Sequence, residues 1–187
     1  MKKLWMFSML ALVAGCFTAS VPKIAFWNLK YTGAALTEAP RYGVVRISQV
    51  AVRSPYNRSD LSVLLKDDTL AFDDFNQFAA LPQSLFKGVA LDAAAKSGIF
   101  SSAVGGTSSV RSELSIEVSV TEFYLDCKVA KARTAKVALE LRVMEGKELK
   151  GVFAGAGEVK ADNGDYGRAF SLAASQAFDN ALREFIK

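Results

Sequence analysis

The sequence predicts a two-layer α+β domain, with two helices packed on one face of a mainly antiparallel sheet. Three observations carry that expectation. Leu114, Ile116, Val118 and Val120 alternate with Ser115, Glu117, Ser119 and Thr121, and Val137, Leu139, Leu141 and Val143 alternate in the same way. That period of two marks strands with one apolar face. Tyr166, Phe170, Ala173, Ala174, Ala177, Ala181, Leu182 and Phe185 instead recur at helical spacing, which gives the last segment one apolar stripe. The element order is strands, helix, strands, helix, so each apolar face has a partner layer.

The chain opens with Lys2 and Lys3, an apolar run, and Leu12-Val13-Ala14-Gly15 before Cys16. Residues 1–15 read as a secretory signal with its processing site. Cys16 stands where a lipoprotein precursor receives its diacylglyceryl group and is read as the lipidation site. The apolar run is too short for a spanning helix, which needs about 20 such residues. Several acyl chains on one cysteine anchor firmly, at about 0.8 kcal/mol per buried CH₂. Residues 16–40 read as a tether and residues 41–187 as the domain. Within the tether, Ile24 to Leu29 forms one apolar knot suited to a short edge strand.

In the first part of the domain, Val45 and Ile47 share one face, and Val50 and Val52 follow with shifted parity. A bulge near Ser48-Gln49 accounts for the shift. Ser54-Pro55-Tyr56-Asn57-Arg58 is turn chemistry. Leu61, Val63 and Leu65 make a half-buried strand, turning at Lys66-Asp67-Asp68 into a hairpin partner over residues 69–72. Asp73 and Asp74 are good N-caps for a helix running to Lys96. Pro82 either kinks that helix or stands at its true first position. Residues 101–112, rich in Ser and Gly, read as a mobile loop.

Residues 113–127 form the clearest strand, with a parity change near Glu122. The strand around Val137 to Val143, the turn Glu145-Gly146-Lys147 and a strand over 148–159 complete an antiparallel meander. Gly151, Gly155 and Gly157 weaken the last of these. Glu113, Glu117, Glu122 and Asp126 precede Lys128, Lys131, Arg133 and Lys136, an arrangement for cross-strand attraction, with a basic ligand patch as the alternative.

The 187-residue chain is 51% hydrophobic and carries a formal charge of +4. Losing Lys2 and Lys3 with the signal lowers that charge by two. So little excess charge does not support nucleic-acid capture. There is no histidine, which excludes Ser-His-Asp and Cys-His activation and His-based metal sites. With Cys16 lipidated, Cys127 has no partner in its own chain and reads as a small buried hydrophobe. Asp67, Asp68, Asp73 and Asp74 suit turn and cap roles better than a cation site, so no metal or cofactor is expected. No catalytic constellation is found, and a non-enzymatic role is expected. Tyr56, Asn57 and Arg58 are the candidate partner contacts, because Tyr and Arg on an exposed turn are typical interface anchors. Phe72, Phe75, Phe78 and Phe86 are read as core, with a groove for a lipid chain as the alternative.

With Cys16, Phe26-Trp27-Asn28-Leu29, the strand over 44–52, Pro55-Tyr56-Asn57-Arg58 and the path from Phe72 to Leu85 in this order, the chain resembles the ABC-type transport auxiliary lipoproteins. These are the paraquat-inducible-protein-C-like proteins of mammalian-cell-entry-domain lipid transport systems. Two departures are the one-residue-shorter Tyr turn and Phe78-Ala79-Ala80-Leu81-Pro82, which lacks the Glu the family often has there. The resemblance implies a periplasm-facing lipoprotein of the cell envelope that docks a mammalian-cell-entry-domain protein, with its ABC permease and ATPase, at a membrane. It implies phospholipid or another hydrophobic molecule as the cargo and rings of several copies as the oligomer. Phe17, not Asp, follows Cys16, which favours the outer membrane. A lipopolysaccharide-assembly type of outer-membrane lipoprotein is the alternative.

Overall fold

The computed structural model describes residues 23–129 and 132–187. Cys16 and the signal expected over 1–15 lie outside the described residues. Among the described residues, eight strands form one mixed sheet and two long helices lie against it, which is the α+β class expected. The strands are β1 (Ala25–Trp27), β2 (Tyr42–Val52), β3 (Asp60–Leu64), β4 (Leu70–Phe78), β5 (Phe100–Gly105), β6 (Leu114–Asp126), β7 (Thr134–Glu145) and β8 (Glu148–Lys160). The helices are α1 (Pro82–Lys96) and α2 (Tyr166–Phe185).

The sheet forks at β6. On one side β6 pairs with β7 along its whole length, and β7 with β8, both antiparallel. On the other side the first part of β6 pairs with β2 and its end with β3, both parallel. Beyond β2 lies β5, and beyond β3 lie β4 and β1. The meander is antiparallel as expected and supplies the longest ladders, but the arms add the parallel pairings β1–β4, β2–β5, β2–β6 and β3–β6. All four join strands that are not consecutive in the chain, crossovers that local pattern does not encode. The register shifts between Ile47 and Gln49 and between Val120 and Glu122, where the parity of the apolar residues changes.

Both helices cover the face on which β6 buries Ile116, Val118, Val120 and Phe123. Four phenylalanines join the layers. Phe123 of β6 lies 4.7 Å from Phe78, 4.8 Å from Phe170 and 5.1 Å from Phe86, ring centroid to centroid. Three of the ring pairs in this cluster are edge-on, an arrangement the ring quadrupoles favour. Phe78 and Phe86 are thus core. Phe75 is exposed and Phe72 lies under Arg58.

Glycines set the distance between α2 and β8. A Cβ on Gly155 would sit 1.9 Å from the Ala177 carbonyl oxygen, and one on Gly157 2.0 Å from that of Ala173. The helix backbone rests directly on the strand, and only glycine permits it. β8 nevertheless runs for 13 residues.

Three local expectations are corrected. The first helix does not start at Asp73 or Asp74. Those residues lie in β4, where Asp73 Oδ1 accepts from the Phe75 and Asn76 amides inside a bulge. The helix begins with Pro82 in its first turn, where a missing N–H costs nothing. Residues 101–112 are not all loop. Residues 100–105 form β5, pairing with β2, and Ser101-Ser102 and Gly105 break up the alternation that would mark it as a strand. Nor does the tether extend to residue 40. β1 pairs with β4 as the edge strand expected, but the chain after it stays bound to the domain, and Leu29 and Tyr31 are buried.

That bound segment runs along a polar ladder on α2. Ser171 Oγ accepts from the Lys30 amide at 3.1 Å, and Ser175 Oγ from the Thr32 amide at 2.8 Å. One further turn on, Asp179 Oδ1 accepts from the Tyr31 hydroxyl at 2.5 Å. The strap then pairs with the loop after α1, where Ser97 O accepts from the Leu36 amide and Ile99 O from the Arg41 amide.

Candidate partner-contact site

The turn between β2 and β3 sits in the fork of the sheet. β2 ends where the Arg53 amide donates to Val120 O of β6 at 2.9 Å. The chain then leaves β6, crosses a cis Ser54-Pro55 bond and returns as β3. The Tyr56 amide donates back to Arg53 O at 2.9 Å, and the Arg58 amide to Tyr56 O at 3.0 Å.

The three residues singled out there do not converge on one point. The Tyr56 ring stacks on Tyr124, which projects from β6 on the face away from the helices, with centroids 5.9 Å apart and planes 25° apart. Burial, then the Glu122 carboxylate, holds both hydroxyls above the ordinary tyrosine range. Asn57 Oδ1 accepts from the Gln83 amide at 3.2 Å, in the first turn of α1. The N-cap residue of that helix, Leu81, has no side chain able to accept, so Asn57 supplies a cap from another segment. Arg58 donates through Nε and a terminal nitrogen to Asp60 Oδ2, at 3.0 and 2.6 Å. Its guanidinium lies 3.7 Å above the Phe72 ring, a cation–π contact.

Each of the three therefore has work inside the chain, and parts of Tyr56 and Arg58 still face solvent. Beside them a groove opens between the β2 bulge and α1, lined by Ser48, Gln49, Gln83, Ser84 and Lys87. The groove is lined by Ile47 and Val50 as well and carries Lys87, and the turn beside it carries Arg58. Together they offer hydrogen-bond donors and one stacked aromatic pair, with no nucleophile–base pair among them.

The other candidates are placed as follows. Asp67 accepts from the Thr69 amide and Asp68 pairs with Lys128, both in the β3–β4 turn. Among the described residues no group of three or more His, Cys, Asp or Glu side chains is close enough to hold a metal ion. The acidic and basic strands pair across the sheet as expected. Lys136 Nζ lies 3.4 Å from Asp126 and 3.2 Å from Glu158, and Arg142 lies 3.6 Å from Glu117. Cys127 is unpaired and half-buried among the described residues, and burial pushes its thiol up. The space enclosed between the helices and the sheet, lined by Ile47, Ala90 and Phe178 among others, is about 10 Å³, room for one water and not for an acyl chain. No described helix is long and apolar enough to cross a membrane.

Sequence reasoning missed the ladder Ser171, Ser175, Asp179. Its signal was present: three polar residues at intervals of four, on a helix whose adjacent stripe is apolar.

No family model and no curated protein matches the chain. Solved structures do. Protein XCC0632 from Xanthomonas campestris, of the DUF330 family, superposes with a TM-score of 0.66 at 12% identity, over 87% of this chain and 92% of that one. An uncharacterized protein superposes with a TM-score of 0.57 at 15% identity, over 86% of this chain and 99% of that one. A lipoprotein from Neisseria meningitidis, GNA1162, scores only 0.39 at 9% identity, over 78% of this chain and 97% of that one, and carries no argument. At these identities the first two likenesses establish a shared fold, found in another bacterial protein as a near-complete chain.

Proposed function

We propose that this chain is a membrane-anchored, non-enzymatic lipoprotein of the bacterial cell envelope that docks a lipid-transport assembly at its membrane. The observation that carries the reading is Cys16 directly after Leu12-Val13-Ala14-Gly15 and a short apolar run. Everything after residue 22 then faces the periplasm, held through acyl chains on one cysteine. The ordered turn residues Tyr56, Asn57 and Arg58 support a docking role, because an interface anchor gains from being fixed before its partner arrives. The partner proposed is a mammalian-cell-entry-domain protein with its ABC permease and ATPase, and the moved molecule is phospholipid. The outer membrane is the proposed location, from Phe17.

The test is a pull-down of the protein extracted intact from membranes, with mass spectrometry of Cys16 and of the bound proteins and lipids. Acyl chains on Cys16 and recovery of a mammalian-cell-entry-domain protein are the expected results. An unmodified Cys16 overturns the anchor. Recovery of a lipopolysaccharide-assembly barrel in place of that partner overturns the transport role.

A further inference from the structure

Two loops meet at one end of the sheet. One is the β3–β4 turn, where the Leu65 amide donates to Thr69 O at 2.9 Å and Asp68 takes a positive φ of 64°. The other follows β6, whose end lies beside β3, with the Cys127 amide donating to Leu64 O at 2.9 Å. Lys128 and Asp68 form an ion pair across them. This joined tip carries two large apolar side chains in water, Val129 at 67% and Leu65 at 39% exposure. Lys66 and Lys128 flank them, and Asp67 and Asp68 bring acidic charge to the same place.

β1 begins toward the same end. β1 runs parallel to β4 with Phe26 beside Gln77, and Gln77 in turn faces Asp60 of β3. The N-terminal end of β1 therefore points in the direction in which β3 runs, toward Leu65. There Ile24, Phe26 and Phe75 are all exposed.

Chain length decides how this end stands. Cys16 and Ile24 are eight steps apart in sequence, a reach of at most about 29 Å at ~3.6 Å per step. From the level of Ile24 to that of Leu65 is four or five residues along β3, about 15 Å. With the two strand spacings from β1 to β3, about 10 Å across, the tip is about 18 Å away, well within the reach. The opposite end, the β7–β8 turn at Gly146, lies about 25 Å the other way and four strands across. That is ~31 Å in all, past the reach.

We propose that this tip rests on the phospholipid headgroups of the membrane that holds Cys16, with Leu65 and Val129 inserted among them. The proposal stands on the anchored reading of Cys16. Mixed charge around an apolar pair suits zwitterionic headgroups, whose phosphates meet Lys66 and Lys128 and whose amines meet Asp67. Ile24 and Phe26 add exposed apolar surface at the start of β1. The domain then stands with its long axis away from the bilayer, and the β7–β8 turn points into the periplasm.

The test uses the full, processed protein in vesicles of phosphatidylethanolamine with a minority of phosphatidylglycerol. An environment-sensitive NBD label is placed at Val129→Cys, or at Lys147→Cys as the distal position, each in a Cys127→Ala background. The diacylglyceryl thioether occupies the Cys16 sulfur, so the label has one site. The label at 129 is expected to shift its emission to shorter wavelength and to be quenched by doxyl-labelled lipids. The label at 147 is expected to show neither effect. Acyl chains on Cys16 with both labels in water overturn the docking alone. Both labels quenched overturn the upright geometry. Absence of acyl chains, read by mass spectrometry of the same preparation, overturns the anchor and the docking with it.

Discussion

Tyr31 and Asp179, 148 residues apart in the chain, share a hydrogen bond of 2.5 Å from the Tyr31 hydroxyl to Oδ1. It is the last rung of the ladder that holds the strap against α2. Tyr31 is buried, and its burial, with the Asp179 carboxylate adding to it, pushes the hydroxyl well above the ordinary tyrosine range. The folded protein therefore keeps this proton at a pH where the unfolded chain, at about pH 10, has lost it. Stability from this group is complete below that pH and falls as pH rises through it. Tyr31→Phe is expected to cost about 1–2 kcal/mol near neutral pH. It should also flatten the alkaline loss of stability relative to the parent. Denaturant titrations at pH 7 and above pH 10 measure both effects, and an unchanged alkaline slope would refute the assignment.

Asn57 offers a second test, because its side chain does for α1 what the helix's own N-cap residue does not. Asn57→Ala leaves the Gln83 amide without its acceptor. The expected loss is about 0.5–2 kcal/mol. Asn57→Asp keeps an acceptor and adds a negative charge at the positive end of the helix dipole, so it should match or exceed the parent. Equal stability of the Ala and parent proteins would show that the cap contributes nothing.

These two contacts also show where the sequence was legible. The alternation in β6 and β7, the stripe on α2 and the bulges at Ile47–Gln49 and Val120–Glu122 were readable, because each is a local period or a break in one. The parallel pairings of β2 with β6 and β5 were not, since a crossover leaves no mark in either strand. β5 was hidden because Ser101, Ser102 and Gly105 interrupt its apolar residues and leave no clear period of two. At Asp73 a cap signal was read as a helix start, although the same carboxylate geometry serves a bulge. Of the candidate site, the turn at Tyr56 to Arg58 was placed correctly as a turn. Its bonds to Gln83, Tyr124 and Phe72 join distant segments and could not be read from spacing.

Gly155 and Gly157 looked like defects in a strand and instead fix the distance between two layers. Gly155→Ala drives a methyl group into the Ala177 carbonyl, which is backbone and cannot rotate away. The expected loss is at least the 1–3 kcal/mol typical of overpacking. Gly105→Ala, with nothing within 4 Å of its new methyl group, is the matched control and should be close to neutral. Thermal melts of the two variants side by side decide it, and a neutral Gly155→Ala would mean that α2 shifts freely over β8.

Arg58 separates an internal role from a docking role. Its bond to Asp60 and its position over Phe72 are partly open to water, the side chain being 43% exposed. Screening holds such a pair to about 0–1 kcal/mol. Arg58→Ala is therefore expected to melt within a few degrees of the parent while losing much of the partner recovered in the pull-down. Arg58→Lys keeps the charge but not the fork that meets Asp60 Oδ2 through two nitrogens. If the guanidinium is what a partner reads, Lys should rescue stability without restoring recovery. Full recovery with Arg58→Ala would instead confine Arg58 to bracing the β2–β3 turn, and would move the search for the contact to Lys87 and the groove beside the β2 bulge.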